Sequence, residues 1–190
     1  LNNVFENGGE NFTGLGSTLE GLDVNPFMYE YIFERAWSNP DVTEWFNALA
    51  DQYLGKIDQT YREAWQMLHN LYIKPSQYRQ GTTLCTRPQI SRNWILNTGL
   101  GYNKANLIQV WSKMLQAGPA VSDNYNFWIV NIGRQVLGDL FDSLRDDFET
   151  AYNTRDIEQM KEVSVKMLAV AADIERLIAA PIDSVKVRQK

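Results

Sequence analysis

Glu20 is the acidic residue whose position is most suggestive of chemistry. It stands beside Gly21 on an irregular, glycine-rich stretch, shortly before a helix-start signal at Asn25-Pro26. Small neighbours let a substrate approach closely, and a loop that follows a strand end is where barrel enzymes place their catalytic groups. The spacing leaves two interpretations open: a catalytic carboxylate, or the commoner case of an exposed acid on a loop.

Residues 75–102 form a second candidate region. They are rich in Pro and Gly, show no clear period, and contain Arg87, Trp94 and Tyr102. A long irregular segment inside a compact domain is often functional. The alternatives are a structural ion pair for Arg87 and a place in the core for the two aromatic side chains.

The residues that usually hold metals or carry thiol chemistry are scarce. His69 is the only histidine and falls on a predicted helix, so we interpret it as structural. Cys85 is the only cysteine, which excludes an internal disulfide and a multi-thiolate metal site, and its expected role is that of a small buried apolar side chain. The acidic residues at 146–149 surround one apolar position and are typical of a solvated helix face. The sequence predicts neither a metal nor a cofactor.

Composition and charge limit the remaining classes. The 190 residues are 44% apolar and 12% aromatic, which is enough for one substantial core. The net charge of −5 comes without a basic block, which argues against a nucleic-acid partner. No apolar run reaches the ~20 residues of a membrane span. Because the chain starts at Leu1, without Met and with a polar, Gly-rich stretch close behind, we expect it to be a piece of a longer protein.

Capping residues and apolar periodicity predict an all-α fold, a bundle of about six helices that follows a short irregular N-terminal segment. The predicted helices begin and end near Pro26–Trp37, 42–54, 58–74, Lys104–Gln116, 123–152 and 156–180. Gly133 and Gly138 each weaken the fifth helix by about 1 kcal/mol relative to Ala. The sixth helix carries a predicted apolar stripe, namely Ile157, Met160, Val163, Met167, Leu168, Ala171, Ile174 and Leu177.

A run of residues around Glu20 resembles a known family. Residues 20–29, Glu-Gly-Leu-Asp-Val-Asn-Pro-Phe-Met-Tyr, are similar to the Glu-Gly-Ile-x-x-Asn-Pro-x-x-Tyr segment of the α-N-acetylglucosaminidases. The likeness continues over about residues 12–180 through Glu34-Arg35-Ala36-Trp37, Cys85-Thr86-Arg87-Pro88, Tyr102-Asn103, Val110-Trp111, Gly133-Arg134-Gln135, Ala151-Tyr152 and Asp156. One departure is clear: many members have Arg-Tyr-Asp where this chain has Asn126-Phe127-Trp128.

The resemblance implies a retaining glycosidase without a cofactor. Glu20 matches the family's nucleophile, and the acid/base Glu is expected upstream, on an Asn-Glu pair in the catalytic barrel. The implied organisation is residues 1–24 as the end of a (β/α) barrel domain and residues 25–190 as a helical C-terminal domain. Since one carboxylate alone cannot complete the reaction, this piece alone is expected to be inactive.

The implied substrate is a glycan with a terminal α-linked N-acetylglucosamine. Trp94 and Tyr102 would stack on a sugar face, and Arg87 would donate to hydroxyl, acetamido or sulfate oxygens. The implied partner is the upstream barrel of the same protein, and the implied location is secreted, periplasmic or lysosomal. The alternative is a non-catalytic helical interaction module, in which the aromatic side chains form only a core.

Overall fold

The protein is helical wherever the computed structural model describes regular structure. The described residues are 6–10, 12–14, 16, 26–72, 102–118 and 122–179. Six helices are assigned within them: α1 Pro26–Trp37, α2 Val42–Leu54, α3 Gln59–Tyr72, α4 Lys104–Gln116, α5 Asp123–Thr154 and α6 Ile157–Ala179. No strand occurs in these ranges, and the predicted all-α class is confirmed.

Side-chain caps start most of the helices, because the first backbone N–H groups of a helix have no partner inside it. The cap bonds are Glu44 N to Asp41 Oδ1 at 2.9 Å, Tyr61 N to Asp58 Oδ1 at 3.0 Å, Ala105 N to Asn103 Oδ1 at 2.8 Å, Tyr125 N to Ser122 Oγ at 3.4 Å and Gln159 N to Asp156 Oδ1 at 3.0 Å. After α2 the chain turns at Gly55, where φ is +76°, a value that favours glycine. These local signals explain why the helix bounds agree closely with the sequence prediction.

The chain divides into two compact units, residues 1–45 and 46–190. In the first unit, Phe27 on α1 is buried and the rings of Tyr31 and Trp45 meet edge to face at 5.0 Å. In the second unit, α4 packs against both α3 and α5, and α5 packs along α6. The predicted domain boundary between residues 24 and 25 stays a prediction.

An aromatic core holds the second unit together. Trp65 on α3 and Trp128 on α5 lie 5.0 Å apart between ring centroids, edge to face. Tyr53 contacts both indoles, at 5.4 Å and 6.4 Å, and Tyr61 contacts Trp65 at 6.4 Å and Tyr125 at 5.7 Å. Such ring pairs stabilise a fold by more than the burial of their apolar area alone. Several of the chain's many aromatic residues are therefore core side chains.

The apolar stripe predicted for α6 is only partly correct. Val163, Val170 and Ile174 are buried, but Leu168 is 72% exposed and Ile157 also faces solvent. The buried positions recur at spacings of seven and four residues, and Leu168 lies off that line. In the described part of the chain, no helix is long and apolar enough to span a membrane.

Candidate functional site

Three of the four predicted site residues lie outside the described residues. These are Glu20, Arg87 and Trp94, and Cys85 lies outside them as well. Tyr102 is described and stands two residues before α4. The candidate site can therefore be built upward from Tyr102 alone.

The Tyr102 hydroxyl is held by two side chains of α5. It donates to Asp139 Oδ2 at 2.7 Å, and it accepts from Gln135 Nε2 at 2.9 Å. Gln135 uses the same amide nitrogen to donate to Asp139 Oδ1 at 3.0 Å, so both oxygens of the carboxylate are engaged. Gln135 and Asp139 are four residues apart, which places them on one face of the helix.

Asp139 is only 3% exposed and is the one charged residue that is fully buried in the described part of the chain. A buried carboxylate is costly unless its oxygens accept hydrogen bonds. Tyr102 and Gln135 supply such bonds. Removing either donor is therefore expected to weaken the hydrogen bond between the two groups that remain.

A lysine and a serine add a second layer to this contact. Lys104 Nζ donates to the Asp139 carbonyl oxygen at 3.0 Å and to Ser143 Oγ at 2.8 Å. The Ser143 hydroxyl donates to the same carbonyl at 3.1 Å. We name Tyr102, Lys104, Gln135, Asp139 and Ser143 the α4–α5 polar cluster. It fastens the entry into α4 to the middle of α5.

Further along α4, the indole of Trp111 packs on α5 at Gly133. The Trp111 Nε1–H donates to the Ile129 carbonyl at 3.0 Å. A Cβ placed on Gly133 would lie 2.7 Å from Trp111 Cζ2 and 3.0 Å from Leu177 Cδ2. Gly133 is therefore required for close packing between α4, α5 and α6, beyond its effect on helix propensity.

Several segments that carry the family resemblance meet in this contact. Tyr102 touches Gln135, Trp111 touches Gly133, and Asn103 caps α4. These residues fix how α4 and α5 meet: Tyr102 and Gln135 bond each other, and the Trp111 Nε1–H donates to the Ile129 carbonyl.

Asp139 and Lys104 were not predicted from the sequence as members of a site. Both stand on helices without a motif around them, and the bonds that Asp139 makes to Tyr102 and that Lys104 makes to α5 join positions 35 to 39 residues apart along the chain. One signal was available, since Asp139 interrupts the apolar stripe of a predicted core helix at a position four residues after Gln135.

The described residues include no group of three or more His, Cys, Asp or Glu side chains placed to hold a metal. The His69 ring packs on Phe46 at 4.7 Å, and burial lowers the pKa of its imidazole below the usual range. Asp146 and Glu149 lie 3.7 Å and 3.8 Å from the guanidinium of Arg145.

A protein-family model matches this chain. The model describes the α-N-acetylglucosaminidase (NAGLU) C-terminal domain and matches residues 45–183. The matched range begins downstream of Glu20. No match is found among curated protein sequences.

Solved structures with the same fold come from Clostridium perfringens. A family 89 glycoside hydrolase in complex with 2-acetamido-1,2-dideoxynojirmycin is 24% identical, with a TM-score of 0.74 over 83% of this chain. The same enzyme with PUGNAc gives 24% and 0.73 over 83%. A variant with two Glu-to-Gln substitutions, in complex with its substrate GlcNAc-α-1,4-galactose, gives 23% and 0.72 over 80%. This chain spans only 18% to 19% of the length of those chains.

Proposed function

Because the chain belongs to the α-N-acetylglucosaminidase C-terminal domain family, we propose that the protein containing it is a retaining exo-glycosidase that removes terminal α-linked N-acetylglucosamine from glycans. The observation that carries this proposal is the family match over residues 45–183. The likeness to family 89 glycoside hydrolases, of whose solved chains this chain covers 18% to 19%, supports the same fold.

In this proposal Glu20 is the nucleophile. It attacks the anomeric carbon and forms a covalent glycosyl-enzyme, while an upstream Glu protonates the leaving oxygen and later activates water. The support is the resemblance of residues 20–29 together with the start of α1 at Pro26, just after the glycine-rich stretch. The two carboxyl groups of a retaining site must lie about 5 Å apart, so the upstream barrel is the obligatory partner.

The helical unit then serves as scaffold and as one wall of the pocket. Arg87, Trp94 and Tyr102 are the proposed wall residues, with the aromatic rings stacking on sugar and Arg87 donating to its oxygens. The large aromatic core and the buried polar cluster support a scaffold role, because both give the unit a fixed internal geometry. A secreted, periplasmic or lysosomal location accompanies this proposal.

The direct test is hydrolysis of an aryl α-N-acetylglucosaminide by the full-length protein. We expect Glu20→Gln to lower kcat/KM by about 10³-fold or more, since the glycosyl-enzyme cannot form. Glu10→Gln is the matched control, because Glu10 is an exposed acid of the same N-terminal region and should leave kcat/KM unchanged.

Two results would count against the proposal. An active wild type with an equally active Glu20→Gln variant would remove Glu20 from the mechanism. A well-folded wild type that hydrolyses no α-N-acetylglucosaminide would favour the alternative, a non-catalytic helical module. The 190-residue chain alone should be inactive in the same assay.

A further inference from the structure

The helices of the second unit are packed in the order of the chain. Among the described helices, α3 packs on α4, α4 on α5 and α5 on α6. α6 ends this row and, with 23 residues, it is roughly 35 Å long. Its inner face, formed by Val163, Val170 and Ile174, is buried. A helix at the end of a row normally turns polar side chains outwards.

The outer face of α6 is apolar as well. Val165 is 66% exposed, Leu168 is 72% exposed, and Ala172 is exposed too. With about 3.6 residues per turn, these three positions lie on one side of the helix, roughly opposite the buried residues Val163 and Val170. Steps of three and four residues are the spacing by which a helix packs on an apolar neighbour. We name Val165, Leu168 and Ala172 the outer strip of α6.

The charged side chains beside the outer strip are paired with each other. Three ion pairs run along α6, and each joins residues three or four positions apart: Glu158–Lys161 at 2.9 Å, Glu162–Lys166 at 2.6 Å and Asp173–Arg176. Because opposite charges alternate in these pairs, they do not favour a strongly charged partner such as a nucleic acid. The strip itself offers apolar surface, so the partner that fits it is apolar.

The size of the strip decides between a second copy and the same polypeptide. Even over the full length of α6, a strip about 10 Å wide covers only about 350 Å², whereas a stable interface between separate proteins buries about 800 Å² on each partner. A strip of this size therefore suits docking within one polypeptide, which loses less translational and rotational freedom. This chain spans only 18% to 19% of the solved relatives, so most of a protein of that length lies outside it.

We propose that the outer strip of α6 is a docking surface for an apolar face of the same polypeptide, from the part of the longer protein that lies outside these 190 residues. Docking there removes Val165 and Leu168 from water and closes the open end of the helix row. This inference does not depend on the glycosidase activity, so either proposal can fail without the other.

Hydroxyl-radical footprinting of the full-length protein tests the proposal without any substitution, because the oxidation rate of a leucine side chain follows its exposure to water. Leu115 on α4 is the matched control, since it is the same residue type and is only 47% exposed. We expect Leu168 to be oxidised several times more slowly than Leu115, although it is the more exposed of the two in this chain. Equal or faster oxidation of Leu168 would overturn the proposal.

Dilution separates the same polypeptide from a second copy. The footprinting is repeated at a concentration where analytical ultracentrifugation shows only monomer. Protection of Leu168 that persists in the monomer supports docking within one polypeptide. Protection that disappears as the protein dissociates would make a second copy the occupant and would contradict the proposal.

Lysine cross-linking of the monomer identifies the part of the polypeptide that covers the strip. Lys161 and Lys166 border it, and their side chains are 67% and 55% exposed. We expect cross-links from these lysines to residues of the longer protein outside the 190. Cross-links from both lysines to residues of the 190-residue chain alone would place the cover inside it and refute the proposal.

A charge placed on the strip gives an independent measurement in the full-length protein. Leu168→Glu should lower Tm by about 2–4 °C, because docking would bury an unpaired carboxylate. Leu115→Glu is the control and should shift Tm by less than about 1 °C, as expected for an exposed position. Equal shifts in the two variants would count against a covered strip.

Discussion

The aromatic core and the α4–α5 contact hold the same unit together by different physics. The core joins α2, α3 and α5 through Trp65, Trp128 and their neighbouring rings, with contacts that are mostly apolar. The α4–α5 contact depends on hydrogen bonds at Asp139 and on a missing side chain at Gly133. The aromatic core depends on filled volume, whereas the α4–α5 contact depends on specific atoms.

The same difference separates the residues on which each region depends. Trp128 fills the core against Trp65, and a core tolerates new side chains if the space is filled. The α4–α5 contact depends on Tyr102, Trp111 and Gly133, because each is needed for one bond or one close approach. A contact that depends on exact atoms tolerates fewer substitutions.

The largest expected effect comes from emptying the core. Trp65→Ala should lower the free energy of unfolding of the 190-residue chain by about 3–5 kcal/mol, since the side chain is fully buried and leaves a large cavity. Urea denaturation followed by far-UV circular dichroism measures this. Trp37→Ala is the control: Trp37 is 92% exposed, and its loss should stay within about 0.5 kcal/mol.

The buried hydroxyl of Tyr61 makes the stability of the fold depend on pH. Burial raises the pKa of Tyr61 from 10.0 to about 12. The unfolded chain then releases this proton at lower pH than the folded protein, so stability falls as pH rises from about 10 to 12. The loss amounts to about 2–3 kcal/mol. Tyr61→Phe should flatten the stability profile over this range. An unchanged slope would show that Tyr61 is not the group responsible.

The two glycines of α5 test the requirement for exact atoms. Gly133→Ala should destabilise the chain by about 1–3 kcal/mol, because the new methyl group collides with the Trp111 ring and Leu177. At Gly138 a Cβ meets nothing within 4 Å, and Gly138→Ala should stabilise the helix by up to about 1 kcal/mol. Thermal unfolding of the two variants measures opposite shifts. Equal shifts would contradict the close approach.

The smallest effect is expected at the edge of the core. His69 packs on Phe46, and burial lowers its pKa below 6.5. The unfolded chain therefore takes up this proton at higher pH than the folded one, and stability declines slightly as pH falls below about 6.5. Since His69 is the only histidine, an NMR titration of its ring reports the pKa without ambiguity. A pKa at or above 6.5 would refute the burial argument.

The sequence predicted the helices well because their ends are marked locally. Asp41, Asp58 and Asp156 each accept a backbone N–H within three residues, so a short pattern contains the whole cause. Part of the core could also be predicted from the sequence, because Trp65 and Leu68 recur at helical spacing, and both are buried.

The sequence could not predict what depends on distant partners. Gly133 was interpreted as a weak point of a helix, whereas the structure shows an indole and a leucine where its side chain would be. The partners of the Tyr102 hydroxyl were equally out of reach, because Gln135 and Asp139 lie 33 and 37 positions later, and its stacking role stays a prediction. Leu168 lies off the buried stripe because packing against α5 decides which face of α6 is buried.

The central claim, that Glu20 is the nucleophile of a retaining α-N-acetylglucosaminidase, is tested most directly by trapping the glycosyl-enzyme. The full-length protein is treated with a mechanism-based N-acetylglucosaminyl inactivator, digested, and the modified peptide is sequenced by mass spectrometry. We expect one sugar per protein, attached to Glu20. A sugar attached to any other carboxylate, or an active enzyme that never becomes labelled, would contradict it.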